Sequence, residues 1–330
     1  MMKDAKEETQ FQNGAETAGA QKSPVHRYEK DFQVREDYLS SLPDVQNADK
    51  NTISGANVPI MQVGMHNFKL PLKFLTKDCG VREAEASVTA TVSLAADSKG
   101  INMSRIMRVF YLFADRVFTP DLLEEILVKM KEQLKTSRAR IKIDFNYPIL
   151  QTSLRSNLKA WQYYKCSYEG TMDDLDIFRK FIVFDFVYSS ACPCSSELSE
   201  HARRTRNVYC VPHSQRSKAR ISAEIEPSAH VSIEDMHAIC LESLHTETQV
   251  MVRREDEQAF AELNGAYVKF IEDAARLLYA GFNSDKRIKD FEIACIHLES
   301  LHSHDAVGVI CKGLPGGFMA DFKDFEDLIC

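Results

Sequence analysis

The strongest constraint on this chain is the order in which two kinds of hydrophobic periodicity follow one another. Residues 58–74 and 84–95 alternate with period two, and Val88, Ala90, Val92 and Leu94 fall on one face, as in half-buried strands. Two stretches of helical spacing come next. The first runs from about 104 to 115; the second opens at Thr119-Pro120-Asp121, where a capping residue precedes proline at the first helical position. Leu122, Ile126, Met130 and Leu134 give the second helix one apolar stripe, the mark of a helix laid on a core. Alternation returns at Ile141, Ile143 and Phe145, and again through Trp161-Gln162-Tyr163-Tyr164. The second half repeats the order, with strands at about 178–188 and 219–225, helices at 232–244 and 256–280, and strands at 287–296 and 306–311. Strand-strand, helix-helix, strand-strand, twice over, predicts an α+β fold of antiparallel sheets with helix pairs on one face. No residue-level repeat accompanies the pattern.

This reading divides the chain into a disordered tail at 1–40, too poor in aliphatic residues to offset its ordering entropy, a first half at 41–168 and a second at 169–330. A polar stretch at about 195–211, holding His201-Ala202-Arg203-Arg204-Thr205-Arg206, reads as a surface loop inserted in the second half. The formal net charge of −7 leaves no basic excess to neutralise a nucleic-acid backbone. No apolar run is long enough to cross a bilayer and the N-terminus lacks a signal peptide's apolar segment, so the expected compartment is the cytoplasm and no membrane partner is expected. Nine cysteines, an odd number spread along the chain, point to reduced thiols, some of them available to a metal.

Three segments carry residue types that chemistry needs and a core does not. Cys192-Pro193-Cys194 ends a very apolar strand, where proline would stop the strand and hold both thiols in an extended turn. His213-Ser214-Gln215-Arg216-Ser217 precedes another strand, and its imidazole suits a metal or a proton while Arg and Ser suit phosphate oxygens. Glu299-Ser300-Leu301-His302-Ser303-His304-Asp305 crowds ionisable groups at the exit of a third strand, which is costly unless they have partners or a task. Arg253-Arg254-Glu255-Asp256-Glu257 is a fourth polar cluster, although acidic residues suit a helix N-terminus in any case.

Together with Leu42-Pro43-Asp44-Val45-Gln46, Val63-Gly64-Met65 and Met103-Ser104-Arg105, these segments resemble GTP cyclohydrolase I of type IB from Leu42 to Val309. The resemblance implies a tunnelling fold of two ββααββ-like halves per subunit, closed into a barrel by oligomerisation. It also implies a homo-oligomer, a tetramer, with active sites at subunit interfaces. The activity implied is metal-dependent hydrolysis of GTP to 7,8-dihydroneopterin triphosphate and formate, the first step towards pterins and tetrahydrofolate. Carried over by position, the metal ligands fall on Cys192, His213 and Glu257, with Glu255 as the alternative third ligand, for one divalent zinc, manganese or iron ion per site. Glu299 falls where the family holds guanine, His302 on the catalytic histidine, and Arg105, Arg216 and Arg254 on clamps for the triphosphate. The chain departs from the family in a longer stretch between Cys194 and His213, and in Asn102 and Ser214 where the family often has His and Asn.

Two rivals share parts of this pattern. A nitrile reductase of the same fold would use Cys192 as its nucleophile, but Leu301-His302-Ser303-His304 stands where that enzyme has lysine and an aromatic residue. A purine-binding metalloprotein without catalysis would keep the ligands and lack turnover; release of formate from GTP separates it from the enzyme.

Overall fold

Strands form where the alternation is cleanest. In β2 (Gly80–Leu94), Ala86, Val88, Ala90, Val92 and Leu94 are all buried and the residues between them are not. The computed structural model describes residues 26–46, 53–77 and 80–329. In it β1 (Ile60–Thr76), β2, β3 (Ala139–Thr152), β4 (Lys159–Met172), β5 (Phe178–Ala191), β6 (Ser214–Ile225), β7 (Ile288–His297) and β8 (Ala306–Cys311) form one eight-stranded antiparallel sheet in sequence order. Between β2 and β3 run α2 (Met103–Tyr111) and α3 (Leu122–Leu134); between β6 and β7 run α5 (Ile233–Leu244), α6 (Arg254–Ala266) and α7 (Ile271–Ser284). The expected α+β fold is therefore present, with two helices between the strand pairs of the first half and three between β6 and β7 in the second. α2 packs on β1 and α3 on β3 and β4, while α5 lies on β5 and α7 on β7 and β8. Leu122, Ile126 and Met130 of the anticipated stripe are buried.

The chain before Val45 forms a unit of its own, whose described part holds α1 (Glu36–Ser41). This short helix lies where composition alone led us to expect no ordered structure; residues 1–25 of that tail are outside the described residues. All six residues of α1 are exposed, so it is a helix without a buried face and leaves no periodic signal.

Three other local expectations change. Residues 193–206 are a helix, α4 (Pro193–Arg206), and not part of a loop; it is so polar that only Ser199 and Ala202 are buried, which is why no stripe betrays it. Pro193 accordingly opens a helix with Cys192 as its N-cap, rather than holding both thiols in an extended turn, and Asn207 in the left-handed region ends it. The long helix expected at 256–280 is two, broken at residues 267–270. There the Lys269 amide leaves helical pairing and donates to Ala191 O at 3.1 Å. At Thr119-Pro120-Asp121 the helix begins at Leu122, and the Asp121 side chain makes no cap. Its carboxylate instead receives the buried Lys180 ammonium.

Beyond β8 the chain crosses to the helix-free face. It turns through Gly313 (φ 73°) and Gly316 (φ 77°), conformations that favour glycine. Leu328 is then buried against Ala294 and Ile296, with Phe322 and Phe325 beside it. Asp290, fully buried, clasps this strap by accepting from the amides of Phe291, Gly313 and Phe318, each at 2.9 Å. A Cβ on Gly317 would stand 1.8 Å from Asp290 Oδ2, so only glycine fits there. Asp327 pins the far end between Lys165 at 2.6 Å and Arg220 at 2.8 Å.

Antiparallel register gives the sheet two distinct ends. At one, Val92, Ala139, Met172 and Phe178 are linked across successive strands. At the other lie the β3–β4 hairpin at Thr152 and Lys159, the Ala191–Ser214 pair and His297 opposite Ser217.

Candidate active site

The candidate residues of the second half collect at that other end. β5 delivers Cys192 and β6 begins just after His213, and the two strands fix them together. The Cys192 amide donates to His213 O at 3.2 Å and the His213 amide donates to Ser195 Oγ at 3.1 Å. A strand that ends straight into a helix thus holds the histidine's backbone from two sides. β7 ends at His297, and Glu299 follows two residues later with its Oε2 3.5 Å from His213 Nδ1. The ring's Nδ1 also lies 3.2 Å from Gln215 Oε1. Cys192 and His213 are half-buried and Cys194 is exposed. Arg216 is exposed on β6, and its backbone carbonyl accepts from the Leu298 amide at 3.3 Å, which ties β6 to the Glu299 loop. His302 and His304, both exposed, stack their rings 4.9 Å apart in that loop.

α6 brings its acidic first turn to the same end. Fully buried Asp256 accepts from the backbone amides of Arg155 at 2.8 Å and Ser156 at 2.9 Å, and from Ser156 Oγ at 2.5 Å, so the β3–β4 hairpin clamps the helix start. These bonds hold the Asp256 carboxyl below the ordinary aspartate range against the cost of burial. Arg254, Glu255 and Glu257 flank it and are exposed. Among the described residues no three His, Cys, Asp or Glu side chains are gathered closely enough to hold an ion. Within one chain, then, Cys192 and His213 stand together as potential donors, while Glu257 lies on the neighbouring helix.

Arg105 is elsewhere. It lies on α2 and lines a cavity of about 750 Å³ with Lys99, Asn102, Lys135 and Arg138 at the end of the sheet where β2 stops and β3 starts. Thirteen residue steps of β5 separate the two ends, about 40 Å at strand rise. Arg105 therefore stands at the end of the sheet opposite to Cys192, His213 and Glu299.

Beneath the site is a buried polar layer that the sequence did not announce. Lys269 donates from Nζ to Thr246 Oγ1 at 3.0 Å and Tyr267 O at 2.5 Å, and its burial lowers its pKa to about 8. His297, joined to Tyr188 Oη at 3.0 Å, is pushed down to about 4 by burial and then by the Lys269 charge. A lysine in a helical stretch and a histidine ending an apolar strand give no local hint that they will meet.

Comparison with known proteins shows the family. Residues 42–308 match the family described as type I GTP cyclohydrolase folE2. The chain belongs to the type I GTP cyclohydrolase family. It is 50% identical to the GTP cyclohydrolase FolE2 of Cereibacter sphaeroides over 286 residues, 87% of this chain and 79% of that one. With the enzyme of the same name from Paracoccus denitrificans it shares 49% over 286 residues, 87% of this chain and 88% of that one. A uricase from Arthrobacter globiformis is a looser structural likeness, with a TM-score of 0.46 at 11% identity over 80% of this chain and 97% of that one, and adds nothing to the assignment. The matched span runs from before β1 into β8 and includes the positions of the candidate site residues. No helix among the described residues is long and apolar enough to cross a membrane, and all seven described cysteines are unpaired.

Proposed function

We propose that this chain is a GTP cyclohydrolase I, hydrolysing GTP to formate and 7,8-dihydroneopterin triphosphate. The 50% identity to a curated enzyme of that name over 87% of the chain carries the reading, and the grouping of Cys192, His213 and Glu299 gives it a chemistry. Cys192, His213 and Glu257 would hold one divalent ion, zinc, manganese or iron, leaving a coordination position open. Such an ion supplies, when bound, an activated water for hydrolysis at C8 of guanine. Glu299 accepts two hydrogen bonds from the guanine N1–H and 2-amino group, a pairing adenine cannot make. His302 delivers a proton to the ring nitrogen that departs as the imidazole ring opens. Arg216 and Arg254 neutralise phosphate oxygens, and Arg105 does so from a second copy of the chain. Active sites then lie at interfaces of a homo-oligomer, a tetramer, in the cytoplasm, where thiols stay reduced.

The test is metal-reconstituted protein incubated with GTP, with formate and a fluorescent oxidised pterin as readouts. Both should appear, and Cys192→Ala should abolish both while Cys194→Ala is milder. Absence of formate from the reconstituted parent would reject the reading.

A further inference from the structure

His213 is fixed on three sides before any metal is considered. Its carbonyl accepts from the Cys192 amide and its own amide donates to Ser195 Oγ. The third hold is on the ring. Nδ1 lies between two groups that accept hydrogen bonds, Gln215 Oε1 at 3.2 Å and Glu299 Oε2 at 3.5 Å. A neutral imidazole carries one hydrogen, and an Nδ1 facing a carboxylate must carry it. Gln215 then turns its oxygen to the ring and its NH2 away, where Nε2 donates to Ser190 Oγ at 2.7 Å. Ser190 Oγ in turn lies 2.8 Å from Ser217 Oγ, and both serines are fully buried. The amide therefore sits in a pocket that accepts it in one sense only, because turning it over would set NH2 against the ring's own N–H.

We propose that Gln215 is a positioning residue that locks His213 in the Nδ1–H tautomer and reserves Nε2 for a divalent cation. The proposal rests on the reading of His213 as a ligand. A histidine ligand is useful only when its free lone pair is on the correct nitrogen and its ring is aimed. A hydrogen bond from the other nitrogen supplies both, and loss of such a partner typically weakens metal binding 10- to 100-fold. The Ser217–Ser190–Gln215 relay makes this partner a fixture of the β5–β6 pair rather than a mobile side chain. The ring is thus ordered in the metal-free protein.

The experiment uses the full-length protein, stripped of metal and labelled with 15N-histidine. The His213 tautomer is read from its ring nitrogen shifts, and zinc affinity from competition with a fluorescent chelator. The parent should show Nδ1–H. Gln215→Leu, which fills space without accepting, should weaken zinc 10- to 100-fold and mix the tautomers. Gln215→Glu keeps an acceptor and should stay near the parent. Ser190→Ala, which frees the amide without touching His213, should fall between them and keeps the test usable if Gln215→Leu does not fold. A parent with hydrogen on Nε2, or a folded Gln215→Leu with parental zinc affinity, would overturn the proposal. So would equal loss in Gln215→Leu and Gln215→Glu. A parent that shows Nδ1–H but takes up no zinc would support the lock while rejecting the ligand role.

Discussion

His302 and His304 are a stacked pair in one exposed loop, yet only the first is assigned a proton transfer. His302→Ala should keep metal and nucleotide and lose about 100- to 10,000-fold in pterin formation, the usual contribution of general acid catalysis. His304→Ala should stay close to the parent. Rate measurements on both variants, with metal content and GTP binding determined alongside, check this, and the reverse outcome would move the role to His304. His297 supports a different prediction, because its folded pKa of about 4 lies below the unfolded value of about 6.5. Between those values the unfolded chain takes up a proton that the folded chain refuses, so stability is lost as pH falls and is unaffected above the window. From pH 7 to pH 5 the loss from this group is about 2 kcal/mol. Urea denaturation at the two pH values should show it in the parent and not in His297→Gln. The residues assigned to chemistry were legible because they come in short polar segments at the ends of apolar strands. His297 and Lys269 were not, since each is remarkable only for being buried beside the other, and that is decided by strands and helices far apart in sequence.

At the scale of elements, α6 shows how a helix without a large apolar face is aimed. Only Asp256 and Ala259 are buried along it; Asp256 binds the backbone of the β3–β4 hairpin, and Glu262 pairs with the Arg155 side chain of the same hairpin. Asp256→Asn sets a donor where Oδ2 accepts from the Arg253 amide at 2.8 Å, which leaves that one of its four bonds unmade. We expect a melting temperature lower by a few degrees, faster hydrogen exchange in residues 153–158 and 253–257, and weaker zinc binding through displaced Glu257. Parental exchange in both segments would show that the clamp is dispensable. The strands and the paired helices were readable from periodicity because each has a buried face. α4 and the break between α6 and α7 were not. The first is nearly all polar, and the second depends on the Lys269 amide finding Ala191 O, a long-range bond with no local signature.

For the whole molecule, the proposed role of Arg105, which lies at the end of the sheet opposite Cys192, predicts that two copies share each site. Arg105→Ala and Cys192→Ala proteins should each be inactive, and after unfolding and refolding together they should regain activity. With random pairing about a quarter of the sites combine an intact Cys192 end with an intact Arg105 end. Assay of GTP turnover in the mixture against each variant alone checks this. A mixture no more active than its parts would confine each site to one chain. The resemblance implied sites at interfaces, but not which residues lie at which end: in the sequence Arg105 and Cys192 are simply two motifs in order, and the register of eight strands sets them apart.

The strap clasped by Asp290 makes the sheet depend on residues that are synthesised after all eight of its strands. As the chain leaves the ribosome, β1 to β7 can pair in the order they appear. Until Gly313 and Phe318 arrive, however, Asp290 is short of two of its three partners, and until Leu328 lands Ala294 and Ile296 face water. The nascent sheet therefore waits with an open seam that only residues 313–328 close. A message cut short just after β8 would encode every candidate active-site residue and still yield a protein that chaperones and proteases treat as unfinished.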